Sequence, residues 1–176
     1  PAAPLADSTL ARATFAGGCF WCTEAVFQAL RGVHSVEQGF IRSDPPFDGW
    51  SEAVIVTFDP AIIDLATLTE VHLRTHASTA AHSMRGKYRS AVYAFDDRQV
   101  QQARGLVERF QPEFGGALVT RTLPFVAFKP SDTRFHDYYA SDPGRPFSQA
   151  YIDPKLAVLR RHSRTIQVIG AVALVV

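Results

Sequence analysis

The stretch ARATFAGGCFWCTEAVFQAL, residues 11–30, decides the fold. Ala11 to Ala16 form a short apolar run that ends in Gly17-Gly18, the mark of a strand entering a tight turn. From Phe20 onward Trp21, Ala25, Val26, Ala29 and Leu30 recur at helical spacing, and Gly32 closes the segment. A strand, a glycine turn and a helix make one βα unit. Working outward, Val33 to Ile41 reads as a strand, and Ser43 to Gly49, with Pro45-Pro46 and Asp48-Gly49, as a loop. Glu52 to Phe58 alternates as a strand and stops at Asp59-Pro60. Asp64 is placed to cap a helix over 65–75. Ala77 to Gly86 reads as a polar surface loop and Tyr88 to Phe95 as a strand. The order strand-helix-strand-strand-helix-strand predicts an α+β fold, a ferredoxin-like split βαβ two-layer sandwich.

Additional C-terminal elements follow it. Asp96 or Asp97 caps a helix running to about Phe110, and Gly115-Gly116 breaks the chain. Two short strands are predicted near 118–121 and 125–128, a short helix over 134–139 and a last helix over 154–161. The expected organisation is an arm over 1–10, a single domain over 11–160 and a tail over 161–176. The apolar end, Ile166 to Val176, reads as an extra strand or a docking tail. The start at Pro1, without Met, implies a processed or missing N-terminus. Pro1 to Ser8 reads as the remnant of signal-peptide cleavage, which places the protein in the periplasm, or as a linker in a cytoplasmic protein.

Composition excludes several function classes. The 176 residues suit one domain with a sizeable core. Hydrophobic residues make up 47%, and 13 Phe argue against disorder. Eighteen basic against seventeen acidic side chains leave +1, so no charge excess points to nucleic acid. No apolar run reaches the roughly 18 residues of a membrane span. A monomer is expected. Arg160, Arg161, His162 and Arg164 read as a solvated helix face, and the lone Met84 suits a protein working among oxidants.

Two cysteines are too few for a disulfide scaffold, so their spacing, Cys19-Phe20-Trp21-Cys22, is the informative fact. A helix N-terminus carries partial positive charge and unpaired N–H groups, which favour a thiolate and lower a cysteine pKa from about 8.5. Three helical steps place the two Cα atoms about 5 Å apart, inside the disulfide window of about 4.4–6.8 Å. The residues admit three readings. The cysteines are two buried small hydrophobes, or they join His76 and His82 in a zinc site whose long gap fits no compact finger, or they form a redox dithiol. Phe20 and Trp21 make an aromatic wall beside the thiols, suited to a methyl next to a sulfur. A general dithiol–disulfide oxidoreductase stays open at this point.

Gly17-Gly18-Cys19-Phe20-Trp21-Cys22 with Glu24-Ala25-Val26-Phe27 resembles the active-site signature of A-type peptide methionine sulfoxide reductases. Residues 52–60, EAVIVTFDP, resemble that family's glutamate-bearing strand, residues 87–93, KYRSAVY, its tyrosine-bearing strand, and Pro154-Lys155-Leu156 a segment near its C-terminus. The resemblance implies thiol-dependent reduction of methionine-(S)-sulfoxide, free or in oxidised peptides and proteins. In that scheme Cys19 attacks the sulfoxide sulfur and becomes a sulfenic acid, Phe20 and Trp21 hold the S-methyl group, Glu52 protonates the oxygen and Tyr88 hydrogen-bonds it. Cys22 resolves the sulfenic acid as a disulfide, and thioredoxin or a similar external dithiol recycles it. No bound cofactor and no metal are implied. Burial near an apolar wall would raise the Glu52 pKa enough to donate at neutral pH.

The sequence departs from the family pattern at three places. Phe40 stands where a tyrosine is usual, Ser83 where an aspartate is usual, and Trp50 where a histidine is usual. Each missing hydrogen bond to a developing charge costs on the order of 1.5–3 kcal/mol. The departures imply slower or altered turnover, or a catalytically impaired methionine-binding domain. His82 or Arg85 is a substitute donor by proximity in sequence, and His136 either lines the site or bonds within its own helix.

Overall fold

The computed structural model describes residues 9–162; Pro1–Ser8, Arg164 and the apolar end 166–176 lie outside the described residues. Six strands form one sheet, β1 (Ala11–Gly17), β2 (Val33–Arg42), β3 (Ser51–Phe58), β4 (Ser90–Ala94), β5 (Arg121–Pro124) and β6 (Ala127–Pro130). Their order is β5-β4-β1-β3-β2-β6. β1 and β2 both run antiparallel to β3, which separates them. That is the split βαβ arrangement, and β4 completes it antiparallel to β1. β5 extends one edge parallel to β4, and β6 extends the other antiparallel to β2.

The helices are α1 (Phe20–Gln28), α2 (Leu65–Thr75), α3 (Asp97–Phe110), α4 (Tyr138–Ser141) and α5 (Asp153–Arg161). Pleating sends Ala13, Phe15, Val54, Val56 and Val92 to one face, where they pack with Val26, Phe27, Leu68, Val71, Leu156 and Leu159 of the helices. Ala16, Ile41, Ala53, Ala91 and Tyr93 point to the other face, under Phe47, Phe125 and Phe128. The core between sheet and helices is the larger, so α1 is buried on nearly every side. Among the described residues no helix is long and apolar enough to cross a membrane.

Asp64 accepts from the Thr67 N–H and Asp96 from the Gln99 N–H, so both helix starts fall where the sequence sets them. Three boundaries differ. β4 begins at Ser90, because the Tyr88 N–H is committed to the Met84 carbonyl at 3.0 Å and closes a turn instead of a ladder. The last two strands sit at 121–124 and 127–130, registered by β4 and β2 rather than by their own apolar runs. The predicted helix over 134–139 is broken, because Asp137 adopts φ 52°. The N–H groups of Asp137 and Tyr138 leave the helical pattern and donate to the buried Glu24 carboxylate at 3.2 and 3.1 Å.

Candidate active site

Gly18, at φ +98°, turns the chain from the end of β1 into α1 and leaves Cys19 as the helix cap. The Cys19 carbonyl accepts from the N–H groups of Cys22 and Thr23 at 3.1 and 3.2 Å. Its half-buried thiol faces the first turn, beside the buried Cys22. The Cys22 thiol donates toward the Cys19 sulfur and is the main reason the Cys19 pKa is lowered to about 6. Burial opposes this, while the Trp21 and Cys22 amides and the Lys155 ammonium reinforce it. The same contact pushes the Cys22 pKa far up, with burial and the Cys19 charge adding to it. The pair is therefore one ionised sulfur and one protonated sulfur.

Lys155 of α5 leans over both sulfurs, and its Nζ donates to the Thr75 carbonyl. Burial lowers its pKa, and the two thiols counteract that. Pro154-Lys155-Leu156 carries no signal of a role at the cysteines; only the packing of α5 against α1 and α2 brings Lys155 to them.

Glu52 enters from β3. It is buried, and its Oε2 has no hydrogen-bond partner among the described residues. Burial first, and the Cys19 charge second, raise its pKa to about 7, against the pull of Lys87 and the Phe20 amide. Phe40 faces Glu52 across the β2–β3 ladder and packs its ring edge-on to Phe20, centroids 5.5 Å apart. Tyr88 lies half-buried just before β4, with the Lys87 ammonium 5.2 Å from its ring. The Glu52 N–H donates to the Lys87 carbonyl at 3.0 Å, which ties the Tyr88 segment to the acid.

Trp21 stacks on Tyr138 at 4.1 Å with the rings nearly parallel, and Phe147 closes the stack edge-on. The Glu24 carboxylate holds the backbone that carries Tyr138, so it sets this stack. Neither the anchoring role of Glu24 nor the stack is visible in the sequence pattern, because a carboxylate inside a helix reads as solvated.

The other residues singled out in the sequence divide. Trp50 is exposed, and the Lys129 ammonium sits 4.5 Å from its ring centroid. His82 lines the cavity of about 300 Å³ beside Cys19 and accepts from the Met84 N–H. Ser83 is exposed in the turn Ser83–Gly86 and does not line that cavity. Arg85, the alternative donor, gives all three guanidinium nitrogens to the carbonyls of Ala77, Ala80 and Tyr88. The His136 N–H donates to the Thr133 carbonyl at 3.1 Å and caps the turn Thr133–Phe135, while its ring Nε2 is buried without a partner among the described residues, close to Glu24.

His76, one of the histidines weighed for zinc, is engaged at both ring nitrogens. Its Nδ1 donates to the His72 carbonyl and its Nε2 accepts from Ser90 Oγ at 2.7 Å. Among the described residues no three His, Cys, Asp or Glu side chains converge as a metal site.

A thiolate at a helix cap, a protonatable acid in a dry wall beside it and a second thiol one turn away can reduce an oxidised sulfur centre and reoxidise as a disulfide. Comparison with known proteins agrees. The sequence model of peptide methionine sulfoxide reductase matches residues 11–167. The peptide methionine sulfoxide reductase MsrA of Deinococcus radiodurans is 38% identical over 167 residues, covering 86% of this chain and 81% of that protein. Among solved structures, reduced Mxr1 from Saccharomyces cerevisiae superposes with a TM-score of 0.68 at 23% identity, over 78% of this chain and 88% of that one. The same yeast protein in complex with Trx2 gives 0.59 at 24% identity, over 74% and 86%. With the motif, the sheet order and a relative of this identity in agreement, the chain belongs to the peptide methionine sulfoxide reductase family.

Proposed function

We propose that the chain reduces methionine-(S)-sulfoxide, free or in polypeptides, with Cys19 as nucleophile, Glu52 as acid and Cys22 as resolving thiol. The observation that carries this assignment is the buried Glu52 carboxyl, with Oε2 unpartnered among the described residues, beside the Cys19 thiol at the α1 cap with Cys22 one turn on. These surroundings lower the Cys19 pKa to about 6 and raise that of Glu52 to about 7. Near neutral pH the sulfur is ionised while a large share of the carboxyl still holds its proton, the pair of states the first step needs.

In that step the Cys19 thiolate bonds to the oxygen-bearing sulfur centre, and the Glu52 proton moves to the sulfoxide oxygen. The protonated oxygen then passes as hydroxyl to the Cys19 sulfur: the transient Cys19–sulfur bond and the methionine S–O bond break, and a Cys19 S–O bond forms. Methionine leaves as the thioether, and Cys19 ends as a sulfenic acid with Glu52 ionised. Phe20 and Trp21 are assigned the apolar surface for the S-methyl group, and Tyr88, tied to the acid through the Lys87 carbonyl, is assigned the hydrogen bond to the oxygen.

The second step follows from the first electrostatically. Loss of the Cys19 negative charge removes the contact that holds Cys22 protonated, while Lys155 continues to favour its thiolate. Cys22 then attacks the Cys19 sulfur; a disulfide forms and water leaves. A thioredoxin-type dithiol reduces that disulfide and is itself oxidised. The yeast relative's complex with Trx2 supports this choice of reductant.

Incubation of the reduced chain with a methionine-(S)-sulfoxide peptide and no reductant tests the reading. It should release about one methionine per chain and leave a Cys19–Cys22 disulfide in the peptide map. Two unchanged thiols after that incubation would remove the proposal.

A further inference from the structure

A second cavity, of about 620 Å³, opens at the same end of the sheet as the cysteines, between Phe47, the turn carrying His82 and Arg85, and the starts of β4 and β5. Its charged lining is His82, Arg85, Arg89 and Arg121, with no Asp or Glu. His82 and Arg85 also line the cavity beside Cys19, so the two spaces share a wall.

The arginines are not equivalent. Arg85 is spent on backbone carbonyls and contributes charge alone. Arg89 is only 8% exposed, yet among the described residues its one side-chain hydrogen bond is from Nη1 to the neutral Tyr93 hydroxyl at 3.2 Å. It makes no ion pair among the described residues, whose salt bridges involve Arg74, Arg134 and Arg145 instead. Arg121 is exposed and likewise unpaired there, with its guanidinium 4.8 Å from the Phe47 ring that Arg89 also approaches, at 5.9 Å. A guanidinium withdrawn from water without a carboxylate is costly unless an anion completes it. Each guanidinium carries a planar fork of N–H donors that matches a carboxylate, and Arg89 and Arg121 both line this cleft.

We propose that this cleft binds a carboxylate side chain of the polypeptide substrate, so that the enzyme prefers methionine sulfoxide flanked a few residues away by Asp or Glu. The inference rests on the reading of the site above and names a substrate class for it. A chain seated with its sulfoxide at Cys19 and running past His82 enters the cleft, and each extended residue advances it by roughly 3.3–3.6 Å.

Peptides of one length, each with a single methionine-(S)-sulfoxide, carry an Asp-Glu, Asn-Gln or Lys-Lys pair two to five residues away on either side. KM is measured for each, and binding of labelled peptides to the Cys19→Ser chain is followed by anisotropy. For at least one placement the acidic peptide should show a KM and a Kd at least fivefold below the neutral one. Arg121→Glu should abolish that preference or turn it toward the Lys-Lys peptide. Inorganic phosphate should displace the acidic peptide and leave the neutral one bound. Equal affinity for acidic and neutral peptides at every placement overturns the cleft, whatever the turnover. Selective binding without turnover in the parent chain keeps the cleft and overturns the reductase assignment instead.

Discussion

Phe40 on β2 stands directly opposite Glu52 on β3, with its ring edge against Phe20. A phenol at position 40 would therefore reach the region where the acid and the substrate oxygen meet. Phe40→Tyr is expected to raise kcat/KM by about 10- to 150-fold, the worth of one hydrogen bond of about 1.5–3 kcal/mol to a developing charge. Steady-state assays of the parent and the variant on the same sulfoxide peptide check this. An unchanged or lower kcat/KM would mean that Phe40 contributes packing alone.

The two shifted pKa values set a narrow working range. Below about pH 6 Cys19 takes up its proton, and above about pH 7 Glu52 loses its own. The pH profile of kcat/KM should thus be bell-shaped with its maximum between those values. Glu52→Gln removes the proton donor and should lower kcat/KM by about 10²–10⁴-fold, with the alkaline limb gone. A parent profile flat from pH 6 to 8 would contradict the assignment of both groups.

Cys22 and Lys155 lower the Cys19 pKa to unequal degrees, Cys22 most and Lys155 least. Cys22→Ala should return Cys19 toward an ordinary thiol near about 8.5, and Lys155→Met should move it less in the same direction. Thiolate absorbance or alkylation rate against pH measures both. Cys22→Ala should also leave a Cys19 sulfenic acid that a dimedone-type reagent traps after one turnover. A larger shift in Lys155→Met than in Cys22→Ala would reverse the ranking.

The elements that local chemistry determines were legible in the sequence. Glycines mark the turn before Cys19, Asp64 and Asp96 cap their helices, and alternation marks β3; the sandwich follows from their order. The cysteine pair and its helix cap were legible for the same reason. What depends on partners distant in the chain was not. The edges β5 and β6 take their limits from β4 and β2. Glu24 becomes a buried anchor only because residues 137 and 138 arrive over it. Lys155 reaches the thiols only through the docking of α5. Ser83, reached by sequence offset from Tyr88, sits on the exposed turn Ser83–Gly86, whose path the residue count does not give.

The raised Glu52 pKa has a thermodynamic counterpart. In the unfolded chain a glutamate titrates near about 4.3, whereas in the fold Glu52 titrates near 7. Below the unfolded value the carboxyl is neutral in both states and is buried without charge. As pH rises through the folded value, the native state must hold a buried carboxylate whose Oε2 has no partner, and stability is lost. Glu52→Gln escapes that loss. Relative to the parent it should gain about 3 kcal/mol between pH 4 and pH 8, nearly all of it before the upper end. Urea titrations at pH 4, 6 and 8 measure the difference. A gap between the two proteins that does not widen with pH would show that the carboxyl is not carrying the burial cost, and the proton donor would have to be sought elsewhere.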